Sequence, residues 1–589
     1  MTREEIENKI REIHGTDEEQ LEFILSDNKR IQVTASAGCG KTKTMISKIA
    51  YELITTPNLN HKKILALTFS VNASTKIKED TASILPQIIG DEDFDVENKL
   101  DVSNYHGFST KLLFKHGYIF HENLKSVEGF TIVPETAAVV NRHLIAQDVR
   151  MLTEFTEALK AVDKAKVDEL IEDYRKLLIE KLIPNNVITY NGLLILGSEL
   201  LSNPHIKNFY TKYYPMVIVD EFQDTNYLAY KIICNLIGDN KMILMGDDIQ
   251  KIYGFLGAIP NLFEDMKTEF DMMPMEFKTN YRFQDNPKML QLDNYIREIF
   301  KQYDDMDSFE ETAEINFGFY TSERGEVDKI YSGLIEKTQG DNTAAVLVNI
   351  NRSSTWIIDK LEENNITYFN GLFKDTDVDY QKFHKIAFDK FVRESGIGRS
   401  VSSRVMNSVI AEMEAEQIAI VTDIIVFNSL MRLLKALFEK TKSSSLSRAE
   451  KYDKISFTLS NGSLKRLMNE IDEKIVITTI HGSKGLEWDY IFIPQITSGA
   501  FPIYISGGSL CKTCKDDSSG TQYQKRCEFT FPSYLKSGFE EQLSLFYVAI
   551  TRARKDVYMF ANTENNPWGY PKKRSCFTAL PNLTRNKDF

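Results

Sequence analysis

The chain has 589 residues, of which 42% are hydrophobic and 26% are charged. This length predicts several domains, and the composition excludes a fibrous or largely disordered protein. Lys and Arg number 71 against 84 Asp and Glu, which gives a net charge of −13. Bulk charge therefore excludes a protein that coats nucleic acid as histones do, although a local basic groove remains compatible with it.

The sequence predicts a cytoplasmic protein without membrane partners. It lacks a run of about 18 apolar residues, as a transmembrane helix would need. Its first residues carry charges of both signs and contain no apolar signal-peptide core. Only 6 cysteines occur, which is typical of a reducing compartment.

The first part of the chain alternates short apolar segments with helical segments. Thr16 and Glu19 have the spacing of a capping box, which predicts the start of an amphipathic helix. Buried strands are predicted at residues 29–34, 64–69, 216–221 and 242–246. Because helical stretches join these strands, they predict a parallel sheet. The charged helical stretch at 135–183 predicts an insertion into that sheet.

A second α/β region is predicted to begin near residue 315. Residues 343–371 have the pattern of strand, helix and strand, and strand patterns return at 474–480 and 490–495. A helical block at 376–470 separates them. The predicted fold class is therefore α/β, with two parallel sheets that are each interrupted by a helical insertion.

The segment ASAGCGKT at 35–42 predicts a phosphate-binding loop between a strand and a helix. Glycines let the loop backbone approach phosphate oxygens, and the helix N-terminus favours negative charge. Lys41 is expected to neutralise the β and γ phosphates, and Thr42 to bind Mg²⁺. The residues predicted to bind nucleotide here are Ala37, Gly38, Cys39, Gly40, Lys41 and Thr42.

A pair of carboxylates ends the predicted strand in VIVDEFQDT at 217–225. Two adjacent acids at a buried strand end are costly unless a cation or a water uses them. We expect Asp220 to hold Mg²⁺ and Glu221 to orient and deprotonate the attacking water. Read alone, the pair favours a solvated acidic turn, but a phosphate loop in the same predicted sheet argues against that reading.

These two motifs belong to a longer ordered series. The segments, in chain order, are TDEEQ (16–20), ASAGCGKT (35–42), ALTFSVNASTKIK (66–78), NYHGF (104–108), DEFQDTN (220–226), GDDIQKIYGFLGA (246–258), TNYRF (279–283), TTIHGSKGLEWD (478–489) and LFYVAITRAR (545–554). In this order they resemble the motifs of superfamily 1 DNA helicases of the UvrD/Rep/PcrA type. The resemblance implies two RecA-like P-loop NTPase domains and ATP as the nucleotide.

The resemblance also implies roles for individual residues around the nucleotide. Gln20 and Tyr281 would contact adenine, and Gln250 would sense the γ-phosphate. Arg282 and Arg552 would act as arginine fingers, which stabilise charge on the transferring phosphoryl group. Glu487 would also lie at the nucleotide. The implied catalytic set is Lys41, Asp220, Glu221, Gln250, Arg282 and Arg552.

Single-stranded or partly duplex DNA is the implied track. The DNA-binding residues implied by the motifs are Phe69, Asn72, His106, Tyr253, Phe255, His481 and Lys484. Aromatic side chains that stack on any base suit a translocase, because the grip does not depend on sequence. Outside these motifs, isolated aromatic residues would be read as core. Leu256 stands where relatives commonly carry Arg, which predicts altered coupling between ATP and DNA.

The resemblance assigns domain boundaries as follows. The first RecA-like domain would comprise 1–112 and 205–278, with a helical insertion at 113–204. The second would comprise 279–375 and 470–589, with a helical insertion at 376–469. The second insertion is short for this family, which leaves duplex unwinding open.

Cysteines between the last two motifs leave two readings open. Cys511 and Cys514 have the CxxC spacing of zinc ligands, and Cys527 follows them. A structural zinc site wants four ligands, and a local fourth is lacking. The alternative is three reduced thiols in a Gly/Ser-rich loop.

The predicted function is an ATP-driven translocase and helicase on single-stranded DNA, with 3′-to-5′ direction taken from the resemblance. It would act in DNA repair, replication or phage defence, with a protein partner such as a nuclease. One alternative is a DNA-stimulated regulatory ATPase subunit of a larger complex that unwinds little by itself. Another is a nucleic-acid-binding module with an inactive ATP site, which the complete catalytic set argues against.

Overall fold

A computed structural model describes the chain except for residues 58, 70, 126–129, 253, 255–256, 303–308, 351–353, 374–376, 397, 418–420, 422, 445–446, 461, 504–535, 566–568, 570–571, 573 and 588–589. The chain divides into two compact units, Met1–Gln284 and Asp285–Phe589. Within the described residues, no helix is long and apolar enough to cross a membrane.

The first unit is built on a six-stranded parallel sheet. Its strands and those of a small accompanying sheet are β1 (Arg30–Ala35), β2 (Ile64–Thr68), β3 (Leu100–Asn104), β4 (Thr131–Val133), β5 (Val187–Thr189), β6 (Met216–Asp220), β7 (Lys241–Gly246) and β8 (Met273–Phe277). The strand order of the large sheet is β3-β2-β6-β7-β1-β8, and β4 pairs with β5 alone. Every pairing in the large sheet is parallel, so each connection must cross over, here through helices.

Helices cover both faces of this sheet. They are α1 (Arg3–His14), α2 (Glu18–Leu25), α3 (Lys41–Thr55), α4 (Val71–Ile89), α5 (Val96–Lys99), α6 (Tyr105–His116), α7 (Ala138–Asn141), α8 (Ala146–Lys160), α9 (Lys164–Leu177), α10 (Tyr190–Ser202), α11 (Pro204–Tyr213), α12 (Tyr227–Leu236) and α13 (Leu262–Phe270). Alternate residues of β2 join different cores. Ile64 and Ala66 pack with α1 to α4, whereas Leu65 and Leu67 pack with α6 and α8 to α12. Burial on both faces explains the continuous apolar runs of the central strands.

The second unit contains a seven-stranded parallel sheet. Its strands are β9 (Ala313–Tyr320), β10 (Ala344–Val348), β11 (Phe369–Asn370), β12 (Ile475–Thr479), β13 (Trp488–Ile493), β14 (Ala553–Asn562) and β15 (Leu583–Asn586), in the order β11-β12-β10-β13-β14-β9-β15. Its helices are α14 (Pro287–Gln302), α15 (Glu323–Lys337), α16 (Thr355–Glu363), α17 (Val378–Ser395), α18 (Ser403–Ala415), α19 (Ile424–Ser443), α20 (Arg448–Ser460) and α21 (Lys536–Ile550). Helices α17 to α20 occupy the stretch between β11 and β12. The predicted α/β class with two parallel sheets is confirmed.

The predicted elements differ from the structure at one helix start and at several strands. The helix expected after Thr16 begins at Glu18, and its N-cap is Asp17, whose carboxylate accepts from the Gln20 backbone N–H. The predicted capping box of Thr16 and Glu19 is therefore wrong by one residue. In the two large sheets, the sequence prediction missed β3, β8 and β15, which lie at sheet margins, and also β9 and β14, which lie inside the second sheet.

Candidate nucleotide site

The carboxyl edge of the first sheet carries the predicted phosphate and carboxylate motifs. The carboxyl ends of parallel strands meet at one edge of a sheet, where open α/β sheets bind ligands. Asp220 ends β6 and lies opposite Thr68, which ends β2. Gly246 ends β7 and lies opposite Thr34, just before the 36–40 loop. The sheet register therefore gathers these segments at a single edge.

The phosphate loop connects β1 to α3 and requires glycine at two positions. Gly38 and Gly40 have φ angles of +88° and +73°, which favour residues without a Cβ. A Cβ added to Gly38 would lie 2.6 Å from the Asn280 Oδ1 and from the Arg282 Cβ. Gly40 is also the N-cap of α3, so the loop delivers backbone N–H groups and the helix N-terminus to the same place.

Lys41 and Glu221 face each other across this edge. The Lys41 Nζ lies 3.9 Å from the Glu221 Oε1, and both side chains keep some exposure. Glu221 has a left-handed backbone with φ of +52°, which is uncommon for a residue other than glycine. Such strain costs about 1–3 kcal/mol and is typical of functional sites. The turn after β6 is therefore held in an unfavourable shape that presents the carboxylate to Lys41.

Gln223 fixes the other oxygen of this carboxylate. Its buried side-chain amide donates from Nε2 to the Glu221 Oε2 at 2.6 Å. The Gln223 Oε1 accepts from the Asp247 backbone N–H at 3.1 Å. The carboxylate of Asp247, which is fully buried, accepts in turn from the Gln250 Nε2 at 3.0 Å. A continuous set of contacts thus joins Lys41 to Gln250, two residues that the sequence predicts in the catalytic set.

Asp220 and Thr42 offer oxygen ligands of the kind that Mg²⁺ prefers. Asp220 is 9% exposed at the end of β6, and Thr42 is half-buried in the first turn of α3. Near Asp220, the Tyr105 hydroxyl lies 3.3 Å from the Thr225 hydroxyl. Burial, reinforced by the carboxylates of Asp224 and Asp220, raises the pKa of Tyr105. The hydroxyl and carboxylate donors at this edge therefore fit a magnesium ion.

Two residues predicted at adenine meet beside Gly40. A Cβ added to Gly40 would lie 3.2 Å from the Gln20 Nε2 and 3.7 Å from the Tyr281 ring. The Tyr281 hydroxyl donates to the Asp17 carboxylate at 2.5 Å, and its backbone N–H donates to the Gly38 carbonyl at 2.9 Å. Gln20 is 2% exposed, whereas Tyr281 is 39% exposed. Tyr281 is therefore the outer and Gln20 the inner member of this pair.

The segment that carries Arg282 packs against the phosphate loop. The Asn280 Nδ2 donates to the Ala37 carbonyl at 3.2 Å. The Asn280 Oδ1 accepts from the Arg282 backbone N–H at 3.1 Å, which turns the chain at that point. Arg282 is half-buried. These contacts lie within the first unit, so Arg282 belongs to the same compact unit as Lys41.

The structure describes only some of the DNA-binding residues that are predicted in the first unit. Phe69 directly follows β2 and is half-buried at the carboxyl edge. His106 lies in the first turn of α6, and its ring packs edge-on against Tyr190 with centroids 5.6 Å apart. Outside the described residues lie Tyr253, Phe255 and the side chain of Asn72.

Arg552 is held differently, inside the second unit. It is 3% exposed between α21 and β14. Its guanidinium donates to the Val548 carbonyl at 3.0 Å and to the Leu486 carbonyl at 3.4 Å. His481, Lys484 and Glu487 follow β12 and are half-buried. The described contacts of Arg552 are thus largely with backbone carbonyl groups of its own unit.

The predicted zinc ligands cannot be placed by the structure. Cys511, Cys514 and Cys527 all lie outside the described residues. Among the residues that are described, no group of three or more His, Cys, Asp or Glu side chains has the arrangement of a metal site. Cys39 is buried in the phosphate loop, where its Sγ lies 2.7 Å from the Ser36 hydroxyl.

Sequence reasoning missed several residues that shape this site. Gln223 and Asp247 stand inside the quoted motifs, but their roles depend on contact between the ends of β6 and β7. Asp17, and not the predicted Thr16, caps the helix that carries Gln20, and Asn280 lies one residue before Tyr281. Polar residues within or next to a motif were the available signal.

Two family models match the chain. The model of the UvrD/REP helicase N-terminal domain matches residues 16–271, and that of the UvrD-like helicase C-terminal domain matches residues 406–564. Together they cover more than half of the chain. The chain belongs to the UvrD/Rep family of DNA helicases. As a member of the UvrD/Rep family it is an ATP-dependent DNA helicase enzyme, which confirms the resemblance seen in its motifs.

The individual relatives of this UvrD/Rep-family chain are distant, and some of them are matched along most of its length. A probable DNA helicase II homolog of Mycoplasma genitalium is 23% identical and is matched over 93% of this chain and 85% of its own length. DNA helicase II of Rickettsia typhi is 23% identical over 96% of this chain and 94% of its own. The ATP-dependent DNA helicase PcrA of Leuconostoc citreum is 25% identical over 46% of this chain and 38% of its own.

Proposed function

We propose that this helicase hydrolyses ATP at the carboxyl edge of its first sheet and uses the energy to move 3′ to 5′ along single-stranded DNA. The observation that carries the proposal is the linked set of Lys41, Glu221, Gln223, Asp247 and Gln250 at this edge. Such a set joins a phosphate-binding amine, a carboxylate base and a phosphate sensor, which are the parts that phosphoryl transfer requires.

Each part of this set has a defined task in the proposed reaction. Lys41 and the loop N–H groups bind the β and γ phosphates. Glu221 orients the attacking water and accepts its proton, and Gln223 holds the carboxylate in place by binding its second oxygen. Gln250, anchored by Asp247, contacts the γ-phosphate. Arg282 and Arg552 stabilise the charge that develops on that phosphate, a role supported by their motifs.

Mg²⁺ would be held by Thr42 and Asp220. When bound it supplies charge neutralisation at the phosphate oxygens. The protein's own contribution is to present one hydroxyl and one buried carboxylate at the same sheet edge. Adenine would lie against Gln20 and Tyr281, which both flank Gly40.

The DNA track rests on the motif residues and on the names of the relatives. Phe69 and His106 lie at or next to the carboxyl edge of the first sheet, and His481 and Lys484 follow β12 in the second. The direction rests on the family resemblance. The same proposal includes a cytoplasmic location, a protein partner such as a nuclease, and a role in repair, replication or phage defence.

The test is ATP hydrolysis by the purified chain with and without single-stranded DNA at fixed low salt, since phosphate contacts weaken as salt rises. We expect strong stimulation by DNA, with Lys41→Ala inactive in both conditions. Lys43→Ala is the matched control, because this exposed neighbour on α3 donates to the Ile13 carbonyl rather than to the site. Near wild-type turnover by Lys41→Ala would refute the phosphate-site assignment.

Direction and unwinding are measured on partial duplexes that carry either a 3′ or a 5′ single-stranded tail. Displacement from the 3′-tailed duplex alone is expected. Displacement from the 5′-tailed duplex would reverse the proposed direction. DNA-stimulated hydrolysis without displacement of either would favour the alternative of a regulatory ATPase subunit.

A further inference from the structure

His14 is a buried histidine that the motifs leave without a role. It is the last residue of α1 and is 7% exposed. Its Nδ1 lies 2.6 Å from the Gln20 Oε1, and its Nε2 lies 2.8 Å from the Ser47 hydroxyl. Both ring nitrogens are therefore engaged, one of them with the residue proposed to contact adenine.

The phosphate loop sets the direction of these hydrogen bonds. The Gln20 Nε2 donates to the Cys39 carbonyl at 2.9 Å, and a carbonyl can only accept. The other end of the Gln20 amide must then be its oxygen, so the His14 Nδ1 carries the proton and donates. In a neutral ring the Nε2 then accepts from the Ser47 hydroxyl. Burial lowers the pKa of His14, which favours this neutral form.

We propose that His14 is a positioning residue that fixes the orientation of the Gln20 amide and thereby makes the nucleotide site prefer adenine to guanine. This inference rests on the proposed function, in which Gln20 contacts the base. The contacts to His14 and Cys39 use one lone pair and one N–H of the amide. An amide has two of each, so it can still accept one bond and donate one.

Adenine and guanine differ at the edge that such an amide pairs with. Adenine presents the N7 acceptor and the N6 amino donor, whereas guanine presents two acceptors, N7 and O6. An amide with a fixed orientation pairs with both groups of adenine but sets its oxygen against the guanine O6. An amide that can rotate loses this distinction. His14 and the Cys39 carbonyl together exclude the rotated state.

Access to the amide involves Tyr281. Gln20 is buried, and the more exposed Tyr281 ring lies beside the same glycine. The hydroxyl of Tyr281 is tied to the Asp17 carboxylate, and Asp17 also caps the helix that carries Gln20. Tyr281 therefore lies nearer the solvent than Gln20, and its contact with Asp17 ties it to the helix that carries Gln20.

The test compares two substitutions that each keep one half of the imidazole. His14→Asn places an amide nitrogen near the position of Nδ1 and keeps the donor to Gln20. His14→Gln reaches toward Ser47 but withdraws that donor. Ser47→Ala removes only the hydrogen bond between Ser47 and the His14 Nε2. Affinities for the fluorescent probes mant-ADP and mant-GDP give the adenine preference directly, and kcat and KM for ATP are measured beside them.

We expect His14→Gln to reduce the preference for mant-ADP over mant-GDP about tenfold, the scale of a bidentate base contact. His14→Asn and Ser47→Ala should keep the preference, and KM for ATP should rise in His14→Gln with little change in kcat. Equal preferences in His14→Gln and His14→Asn would overturn the inference, because a packing role predicts equal losses or none.

The variant Gln20→Ala distinguishes a failure of this inference from a failure of the proposed contact between Gln20 and the base. If Gln20→Ala leaves the preference unchanged, the base contact itself is wrong. If Gln20→Ala lowers the preference but His14→Gln does not, only the role of His14 is wrong. Thermal unfolding of each variant shows whether the affinities come from folded protein.

Discussion

Glu221 in the first unit and Arg552 in the second are both expected at the transferring phosphate, but they are held in opposite ways. The Glu221 carboxylate contacts side chains, with Lys41 at one oxygen and Gln223 at the other. The Arg552 guanidinium donates to backbone carbonyl groups at Val548 and Leu486. The backbone of Glu221 is also in a strained left-handed conformation. Arg552, in contrast, is nearly fully buried.

In the proposed reaction, the Glu221 carboxylate is already positioned to act. The Arg552 guanidinium is bound to groups of its own unit and has to leave them first. A carboxylate fixed by neighbouring side chains needs little rearrangement before it acts, which is how preorganised sites lower a barrier. A guanidinium that donates to carbonyl groups has to exchange those bonds for bonds to a phosphate before it acts, although the Val548 carbonyl also accepts from the Thr551 hydroxyl at 3.2 Å. In the proposed reaction, the base of the first unit is therefore already positioned, whereas the Arg552 guanidinium of the second unit has to change its hydrogen-bond partners.

The largest effect is expected from Glu221→Gln, which keeps the shape of the side chain but removes the base. Turnover should fall about 10³-fold, within the range for loss of a positioned base, while ATP binding is retained. Single-turnover hydrolysis and equilibrium binding of ATP measure the two properties. Loss of binding instead would mean that Glu221 holds the nucleotide and would break the comparison with Arg552.

Arg552→Ala should have the next largest effect. We expect kcat to fall about 10²-fold with a much smaller change in ATP affinity, as when one transition-state donor is removed. Arg554→Ala is the matched control, since Arg554 is exposed two residues away and donates to the Glu487 carbonyl. A reduction shared equally by both variants would point to damage to β14 rather than to a lost arginine finger.

Gln223→Ala tests how much of the Glu221 effect depends on preparation. Without the buried amide, Glu221 loses the hydrogen bond to one oxygen, and kcat should fall about tenfold with KM for ATP nearly unchanged. In the Glu221→Gln background the same substitution should add little, because the two residues act as one unit. Additive losses in the double variant would show that Gln223 acts independently of Glu221.

The smallest effect at neutral pH is expected at His384 in the second unit. Its Nδ1 contacts the Tyr380 carbonyl, its Nε2 accepts from the Leu464 N–H, and burial lowers the pKa of His384 to about 4. The unfolded chain binds this proton near pH 6.5, so the folded state loses up to about 3 kcal/mol of unfolding free energy as pH falls from 6.5 to 4. Above pH 6.5 this contribution is constant.

Chemical unfolding of wild type and His384→Asn at pH 7.5 and 5 measures the contribution of His384. The acid-induced loss should be smaller in the variant, because it lacks the titrating ring. His61→Asn, at an exposed histidine, should behave like wild type. An equal loss of unfolding free energy in His384→Asn and in wild type would show that His384 does not cause the acid-induced loss.

The positions of the candidate site residues were predictable because each lies in a contiguous motif at a strand end. Lys41 follows two glycines in one short segment, and Asp220 and Glu221 end an unmistakable apolar strand. The contacts of Gln223 and Asp247 were not predictable in this way, because they arise only when the ends of β6 and β7 come together. The contacts of His14 with Gln20 and Ser47 also depend on folding, because they form only when α1, α2 and α3 pack together.

Strand β8 shows one limit of apolar patterning. The central strands β2 and β6 are buried throughout, and their apolar runs predicted them. Strand β8 alternates between half-buried and exposed residues before the buried Phe277, and it contains Pro274, which is tolerated in a strand at a sheet edge. Such a strand resembles a loop in sequence. The one-residue error at Asp17 has a similar origin, because Thr16–Glu19 and Asp17–Gln20 have the same capping spacing.

Strand β8 also determines where a nucleotide-binding fragment of this enzyme has to end. It pairs with β1 through Phe277 opposite Ala35, and the chain leaves it directly for Tyr281 and Arg282. A fragment cut at residue 271, where the N-terminal family match ends, would omit the strand and both of these residues. A fragment that extends to Gln284 retains them together with the whole first compact unit, and it is the shorter form that should lose nucleotide binding.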